Sequence, residues 1–211
     1  MSDKAILYGF DGSTYVRTVR MVLAYKNADY DQIPVNVLAG EPRQPEHLKR
    51  HPFGKVPVLD IDGVRIRETD AICRYLDETL PGPSLIPDTA KDRARMNEAI
   101  SHINSYGYNA LVGVAGFHLF PDFIGGADEG KRQDALVASK KLLVLLMQNK
   151  GGSHWLAGDK PTLADYFLGP ILFYTSLTPD SDDVMSVPGM KAWWEAINGL
   201  DVFKKTEPNL G

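Results

Sequence analysis

The residue types that can do chemistry in this 211-residue chain gather around one stretch, HPFGKVPVLDIDGVRIRETDAICRYL, residues 51–76. Pro57 stands between two valines at the start of a strand-like run. A proline removes a ladder hydrogen bond, so Val56-Pro57 belongs where a strand begins or an edge is open. It is either a structural turn or, with a cis bond, a device that leaves the Val56 N–H and C=O facing outward to take an extended peptide as one added strand. Further on, Glu68-Thr69-Asp70 sits where a helix starts. Free N–H groups there suit a carboxylate, the Thr69 hydroxyl can add a bond and Glu68 can meet an ammonium. Equally, Thr69 can serve simply as the N-cap.

Ser13 opens an earlier helix, with Thr14 and Tyr15 beside it. It is a cap, a hydroxyl donor to an anion at the same helix terminus, or both. Lys55 and Arg43 can hold a second carboxylate or be ordinary surface charge. Together these groups describe a receptor for a small charged peptide.

The elements that must position them follow from periodicity. Residues 5–10 read as a strand and 13–28 as a helix, with Val16, Val19 and Leu23 at helical spacing while Arg17 and Arg20 face elsewhere. Residues 30–37 read as a second strand, interrupted by Pro34 and therefore an edge. PEHLKRH is a helical turn. VPVLDIDGVRI is a hairpin turned by Asp62-Gly63, and TDAICRYLDETL is a helix. The order is βαβ followed by ββα.

PGPSLIP, residues 81–87, is a break, and beyond it the pattern is helical. Thr89 and Asp92 have capping-box spacing, as do Thr162 and Asp165. Met96, Ile100, Ile103, Ala110, Val114 and Phe117 form a long apolar stripe, and residues 131–150 a second amphipathic helix. Residues 162–177 are apolar nearly all round, which predicts a helix at the centre of a bundle. Gly107, Gly113 and Gly116 point to close packing or a groove. Trp193 and Trp194 divide between core and surface.

Composition sets the outer limits. The formal charge is −4 with no basic block, which argues against a nucleic-acid partner. No apolar run reaches the ~18 residues of a membrane span, and the start, MSDKAILYG, lacks a secretory h-region. Cys73 is the one cysteine, so an internal disulfide, a CxxC pair and a cysteine-based zinc site are excluded. Inside a helix beside Ile72 and Leu76, it reads as a small buried hydrophobe.

The stretches LYGFDGSTYVRTVR, HPFGKVPVLDIDG, ETDAICRYLDE and WLAGDKPTLADYFLGP resemble the cytosolic glutathione S-transferases over nearly the full chain, nearest to the serine-type phi- and theta-like or bacterial classes. The resemblance implies an α/β thioredoxin-like N-terminal domain (1–80) that binds glutathione. A linker (81–87) and an all-α C-terminal helical bundle domain (88–211) follow, the latter supplying the hydrophobic substrate site.

It implies that Val56, beside Pro57, pairs by backbone with the cysteinyl part of glutathione. Glu68 and Thr69 would hold the γ-glutamyl end, Arg43 aligns with a basic residue that contacts the glycyl carboxylate, and Lys55 stands where many relatives have glutamine. Ser13 falls on the catalytic serine position, with Thr14, Tyr15 and Tyr8 as lesser candidates, and its FDGST turn departs from the usual proline-containing one. Tyr106, Tyr108, Phe117 and His118 are possible walls of the electrophile site.

The activity expected is detoxifying transfer of glutathione, as co-substrate, to a small hydrophobic electrophile by a cytoplasmic homodimer, with no metal, no membrane and no nucleic acid involved. The alternatives are a glutathione-dependent isomerase or dehalogenase, and a non-catalytic glutathione-binding scaffold.

Overall fold

The computed structural model describes residues 4–209. They fall into two units, one of residues 4–84 with 201–209 and the other of residues 85–200. The sequence boundaries assign residues 201–209 to the helical domain; in the structure they join the first unit.

In the first unit β1 (Ala5–Tyr8), β2 (Tyr30–Ile33), β3 (Val58–Ile61) and β4 (Val64–Arg67) form one mixed sheet in the order β2-β1-β3-β4. β2 is the expected edge, but the strand expected to reach residue 37 stops at Ile33, because Pro34 has no N–H for the ladder. β1 runs parallel to β2 and antiparallel to β3, and β3 antiparallel to β4. Asp62 (φ 52°) and Gly63 (φ 74°) make the hairpin turn. Positive φ at both central residues is the twist-matched two-residue solution, and Asp and Gly tolerate it.

Strand alternation gives the sheet two faces. Ala5, Leu7, Leu59 and Ile61 are buried on one, with Val16, Val19 and Leu23 of α1 (Thr14–Tyr25) and Ile72, Cys73 and Leu76 of α3 (Thr69–Thr79) also in the core. Tyr8 and Val58 on the opposite face cluster with Val35, and Ile6 and Val56 pack against them. The short α2 (Pro45–Leu48) follows a turn at 41–43.

α1 and α3 are tied to the end of the unit by a buried charge. Lys26, the cap residue after α1, places its ammonium 2.9 Å from Asp77 Oδ1 and donates to the Asp77 and Pro83 carbonyls, each at 3.0 Å. Three acceptors match the three N–H groups of an ammonium. Ser84 Oγ donates to Asp77 Oδ2 at 2.5 Å.

Arg17 is also buried, in contrast to the outward direction its spacing suggests. Its guanidinium donates to the Phe203 carbonyl at 2.8 Å and lies 3.9 Å from the centre of the Phe203 ring. Phe203 lies on α10 (Asp201–Lys205), which returns to cover α1. Helical periodicity carries no record of such a return.

The second unit is helical among its described residues. It comprises α4 (Ala90–His102), a π-helical turn at Ile103–Gly107, α5 (Tyr108–Leu119), α6 (Glu129–Lys150), α7 (Leu163–Ser176), α8 (Ser181–Met185) and α9 (Met190–Gly199). The long stripe thus spans two helices joined through the π turn. All of it is buried except Phe117, which is half-buried. A Cβ on Gly107 would come within 2.4 Å of Leu142, so this glycine lets α6 approach closely.

Thr89 caps α4, accepting from the Asp92 N–H at 3.1 Å. α7 is buried along almost its whole length, as its all-round apolarity predicts, and Trp193 is buried while Trp194 is half-buried. At the start of α7 the carboxylate of Asp165 accepts four hydrogen bonds. They come from Leu156 N–H (3.0 Å), Trp193 Nε1–H (2.8 Å), Thr162 N–H (2.8 Å) and Thr162 O–H (3.0 Å). Burial pushes this carboxyl up while the four donors pull it down. No helix of the described residues is long and apolar enough to cross a membrane.

Two stability predictions follow from these charges. Lys26→Met strands the buried Asp77 carboxylate and lowers unfolding free energy in urea by about 3–5 kcal/mol, while Lys26→Met with Asp77→Leu recovers most of the loss. Asp165→Ala leaves buried donors unpaired and costs about 3 kcal/mol or more, with Asp165→Asn intermediate because an amide offers one accepting oxygen.

Candidate functional site

Three segments are brought to one end of the sheet by register alone. Tyr8 pairs with Val58, and Val58 with Arg67. The loop after β1, which carries Ser13, therefore lies beside the turn before β3, which carries Lys55, Val56 and Pro57. That turn in turn lies beside Glu68 and Thr69 after β4. β2 runs parallel to β1 and ends there too, leading towards Arg43.

Ser13 is the N-cap of α1. Its Oγ accepts from the Val16 N–H at 3.4 Å, and its hydroxyl donates to nothing among the described residues. A capping serine uses a lone pair for the helix and keeps its proton for another acceptor. Thr14, the first helical residue, is buried, and its carbonyl accepts from the Thr18 hydroxyl at 3.2 Å. Tyr8 is engaged elsewhere. Its phenol donates to Asp60 Oδ2 at 3.3 Å, and the Arg50 guanidinium lies 4.6 Å over its ring. Asp60 also receives two bonds of 2.6 Å from Arg65, and that pairing foremost holds its carboxyl below the usual range.

The Val56-Pro57 bond is cis. Val56 is half-buried, and its N–H and C=O make no hydrogen bond among the described residues. The preceding carbonyl, of Lys55, accepts from His47 Nε2–H at 2.7 Å. The Lys55 and Arg43 side chains are exposed.

Glu68, not Thr69, is the residue before α3, so the reading of Thr69 as N-cap is corrected. Glu68 takes φ 67°, ψ 121°, a sparsely populated conformation for a residue with a Cβ, and the helix begins one residue on. Backbone of this kind costs about 1–3 kcal/mol and persists where surroundings over-determine it. Intrahelical bonding starts with Ile72 N–H to the Glu68 carbonyl, which leaves the Thr69, Asp70 and Ala71 N–H groups at an open helix terminus. The Glu68 side chain is 76 % exposed and that of Thr69 is buried. The arrangement suits an anion at the helix terminus and a cation at Glu68.

Two histidines support this end of the sheet, and sequence reasoning passed over both. His47 sits under the Lys55 carbonyl. His51 is buried, with Nε2 3.6 Å from Glu68 Oε1, while its Nδ1 accepts from the Phe53 N–H at 3.3 Å. Their spacing in PEHLKRHPFGK, four residues apart across a helical turn, was the available signal. Arg67 Nε donates to the Arg50 carbonyl close by. Burial pushes the His51 imidazole below its ordinary value. Glu68 opposes this, and Arg67, His47 and Lys55 reinforce it.

The four candidate wall residues of the second unit have separate environments. Tyr106 is exposed, its ring 6.1 Å from that of His102. Tyr108 is half-buried, and burial raises its hydroxyl pKa. Phe117 lies under Arg132, 5.4 Å from the ring centre, and edge-on to His118. His118 Nε2 is 2.9 Å from Asp180 Oδ2, whose other oxygen receives Arg132 at 2.5 Å, so His118 is committed to an ion network. Cys73 is fully buried, which drives its thiol well above the ordinary value and makes it inert. Among the described residues no cluster of three or more His, Cys, Asp or Glu is placed to hold a metal ion.

Comparison with known proteins gives two family matches. The family described as "Glutathione S-transferase, N-terminal domain" matches residues 7–84, and "Glutathione S-transferase, C-terminal domain" matches residues 115–201. Maleylacetoacetate isomerase of Rhizobium meliloti is 30% identical over 99% of this chain and 98% of its own length. Glutathione S-transferase 3 of Zea mays is 33% identical over 95% and 91%. Among solved structures, maize glutathione S-transferase I in complex with an atrazine glutathione conjugate superposes with a TM-score of 0.84 at 27% identity, covering 96% of each chain.

His51 yields a pH prediction. The unfolded imidazole takes a proton near pH 6.5, whereas the folded one resists until lower pH. The unfolded state therefore binds more protons as pH falls through that value, and stability drops. His51→Gln removes this component. In urea unfolding between about pH 7.5 and 5, the stability advantage of the unaltered protein over the variant narrows as pH falls; a constant gap contradicts the assignment.

Proposed function

The chain belongs to the glutathione S-transferase family and is a glutathione transferase, and we propose that Ser13 donates a hydrogen bond to the glutathione sulfur, holding it as thiolate for attack on a small hydrophobic electrophile. The observation that carries this reading is the Ser13 hydroxyl. It accepts from the helix backbone, has no acceptor of its own among the described residues, and stands at the positive end of a 12-residue helix. Serine is too weak a base to deprotonate a thiol. Its contribution is a donor aimed at the charge that must be stabilised.

The magnitudes are compatible. A thiol with a pKa of about 8.5 is roughly 3% ionised at pH 7. Lowering that value by about two units takes roughly 2.7 kcal/mol of differential stabilisation and makes thiolate the major form. One hydrogen bond to a charged sulfur, about 1.5–3 kcal/mol, with the helix terminus, supplies it. Holding the electrophile over the sulfur accounts for the rest.

In the same reading the unpaired Val56 N–H and C=O take the cysteinyl backbone as an added strand. The α3 terminus and Thr69 receive the γ-glutamyl carboxylate, Glu68 its ammonium, and Lys55 and Arg43 the glycyl carboxylate. The maize relative bound to an atrazine conjugate supports an apolar electrophile, with Tyr106, Tyr108 and Phe117 as candidate contacts. His118 is the weakest of the four because Asp180 already holds it. A cytoplasmic homodimer belongs to the proposal as the association expected of the family. Phe53, 81 % exposed beside the Val56 turn, is a large apolar group that association can bury.

A second reading is favoured by one finding. A relative of nearly equal length is a maleylacetoacetate isomerase, so the same thiolate can add to an acidic unsaturated substrate and leave again after rotation. Assay with maleylacetoacetate and with a nitro-activated aryl chloride separates the two.

The decisive experiment follows thiolate absorbance of bound glutathione against pH. A bound pKa well below the free value is expected, and Ser13→Ala raises it by about 1–2 units with a matching fall in kcat. Binding without a lowered pKa points to the scaffold alternative, and no binding overturns the glutathione reading.

A further inference from the structure

We infer that His51 is a positioning residue for the amine end of the peptide ligand, acting through Glu68; the inference rests on the glutathione reading above. Three observations converge on it. First, Glu68 is held at φ 67°, ψ 121° immediately before α3, so its side chain leaves the backbone in a direction a relaxed residue would not take. The carboxylate itself is exposed and makes no hydrogen bond among the described residues. An exposed glutamate with free rotamers spends little time in any one orientation.

Second, the group nearest to that carboxylate by ion-pair geometry is the imidazole of His51, buried and fixed, with Nε2 at 3.6 Å from Oε1. Third, the tautomer is set by the backbone. Phe53 N–H donates to His51 Nδ1, so the neutral ring carries its proton on Nε2, on the side of Glu68.

The neutral Nε2–H faces Oε1 from 3.6 Å, just beyond hydrogen-bond reach, so a small movement of Glu68 as the amine arrives lets it hold one carboxylate oxygen while leaving the full negative charge to the incoming ammonium. A buried cation in its place would cancel that charge. His51 therefore orients without competing, and the second oxygen remains open to the amine. Burial foremost, with Arg67, His47 and Lys55, shifts the ring toward its neutral form against the opposing pull of Glu68. The chemistry recognised is a primary ammonium adjacent to the carboxylate seated at the α3 terminus, the zwitterionic head of a γ-glutamyl group.

The test uses calorimetric binding of glutathione and of glutathione acetylated on its amine to the full chain and to His51→Leu, His51→Gln, Glu68→Ala and the His51→Leu/Glu68→Ala double variant. Urea midpoints first establish that each is folded. His51→Leu is expected to weaken glutathione about 5–10-fold and the acetylated ligand less than about 2-fold, because the acetylated ligand has no ammonium for Glu68 to meet. His51→Gln, which keeps an N–H donor, recovers part of the loss, and the double variant is no weaker than Glu68→Ala alone.

Equal weakening for both ligands, or a double variant whose losses simply add, overturns the role of His51 and leaves the glutathione reading in place. Should His51→Leu prove unfolded, the same selectivity is read from His51→Gln, where equal weakening of both ligands again overturns the role. Absence of glutathione binding by the unaltered protein overturns both.

Discussion

The pairing of Tyr8 with Val58 and of Val58 with Arg67 is the constraint on which the candidate site depends. The three segments that carry the candidate groups are far apart in sequence; strand register makes them neighbours. A slip of one residue in β3 would turn Leu59 and Ile61 away from α1 and α3 and put the Asp60 carboxylate on that apolar face. The apolar face toward α1 and α3 therefore protects the register, and the register places Ser13, Val56 and Glu68 at one end of the sheet. Pro57 limits the ladder at that point, which is why Val56 retains a backbone donor and acceptor for something else.

Each unit contains a buried charge whose partners come from distant parts of that unit. Lys26 joins the end of α1 to α3 and to the Pro83 carbonyl, with every N–H satisfied. Asp165 joins the start of α7 to the loop at Leu156 and to Trp193 on α9. Such groups contribute little net energy compared with apolar substitutes, since desolvation offsets most of the attraction. Their effect is geometric. A register shift of α3 or α9 would leave a buried charge unmatched, so the interaction penalises wrong arrangements more than it rewards the right one. In the first unit the anchor is Asp77 in the last turn of α3, at the opposite end of the helix from Glu68 and Thr69.

The site itself is built by withholding satisfaction. The Ser13 proton, the Val56 backbone groups and the α3 N–H groups lack partners among the described residues, while the two histidines beneath them are each anchored by one hydrogen bond to the backbone. His47 donates to the Lys55 carbonyl, and His51 is held by the Phe53 N–H. Rigid support under open hydrogen-bonding groups is the arrangement that binding requires, because a ligand then orders little on arrival.

The local features were legible in the sequence: the hairpin at Asp62-Gly63, an edge strand in the segment around Pro34, the N-cap at Thr89, the capping box at Thr162, and the burial of α7. Each is written in a few neighbouring residues whose spacing has one good structural solution. It also marked Ser13, Val56-Pro57 and Glu68-Thr69, because prolines at strand starts and hydroxyls at helix starts are local signals. Long-range packing put Arg17 under Phe203, joined residues 201–209 to the first unit, set Glu68 and not Thr69 before α3, and placed His51 behind Glu68. Those facts depend on contacts between segments far apart in the chain, and periodicity reports which face of an element is apolar but not what returns to cover the other.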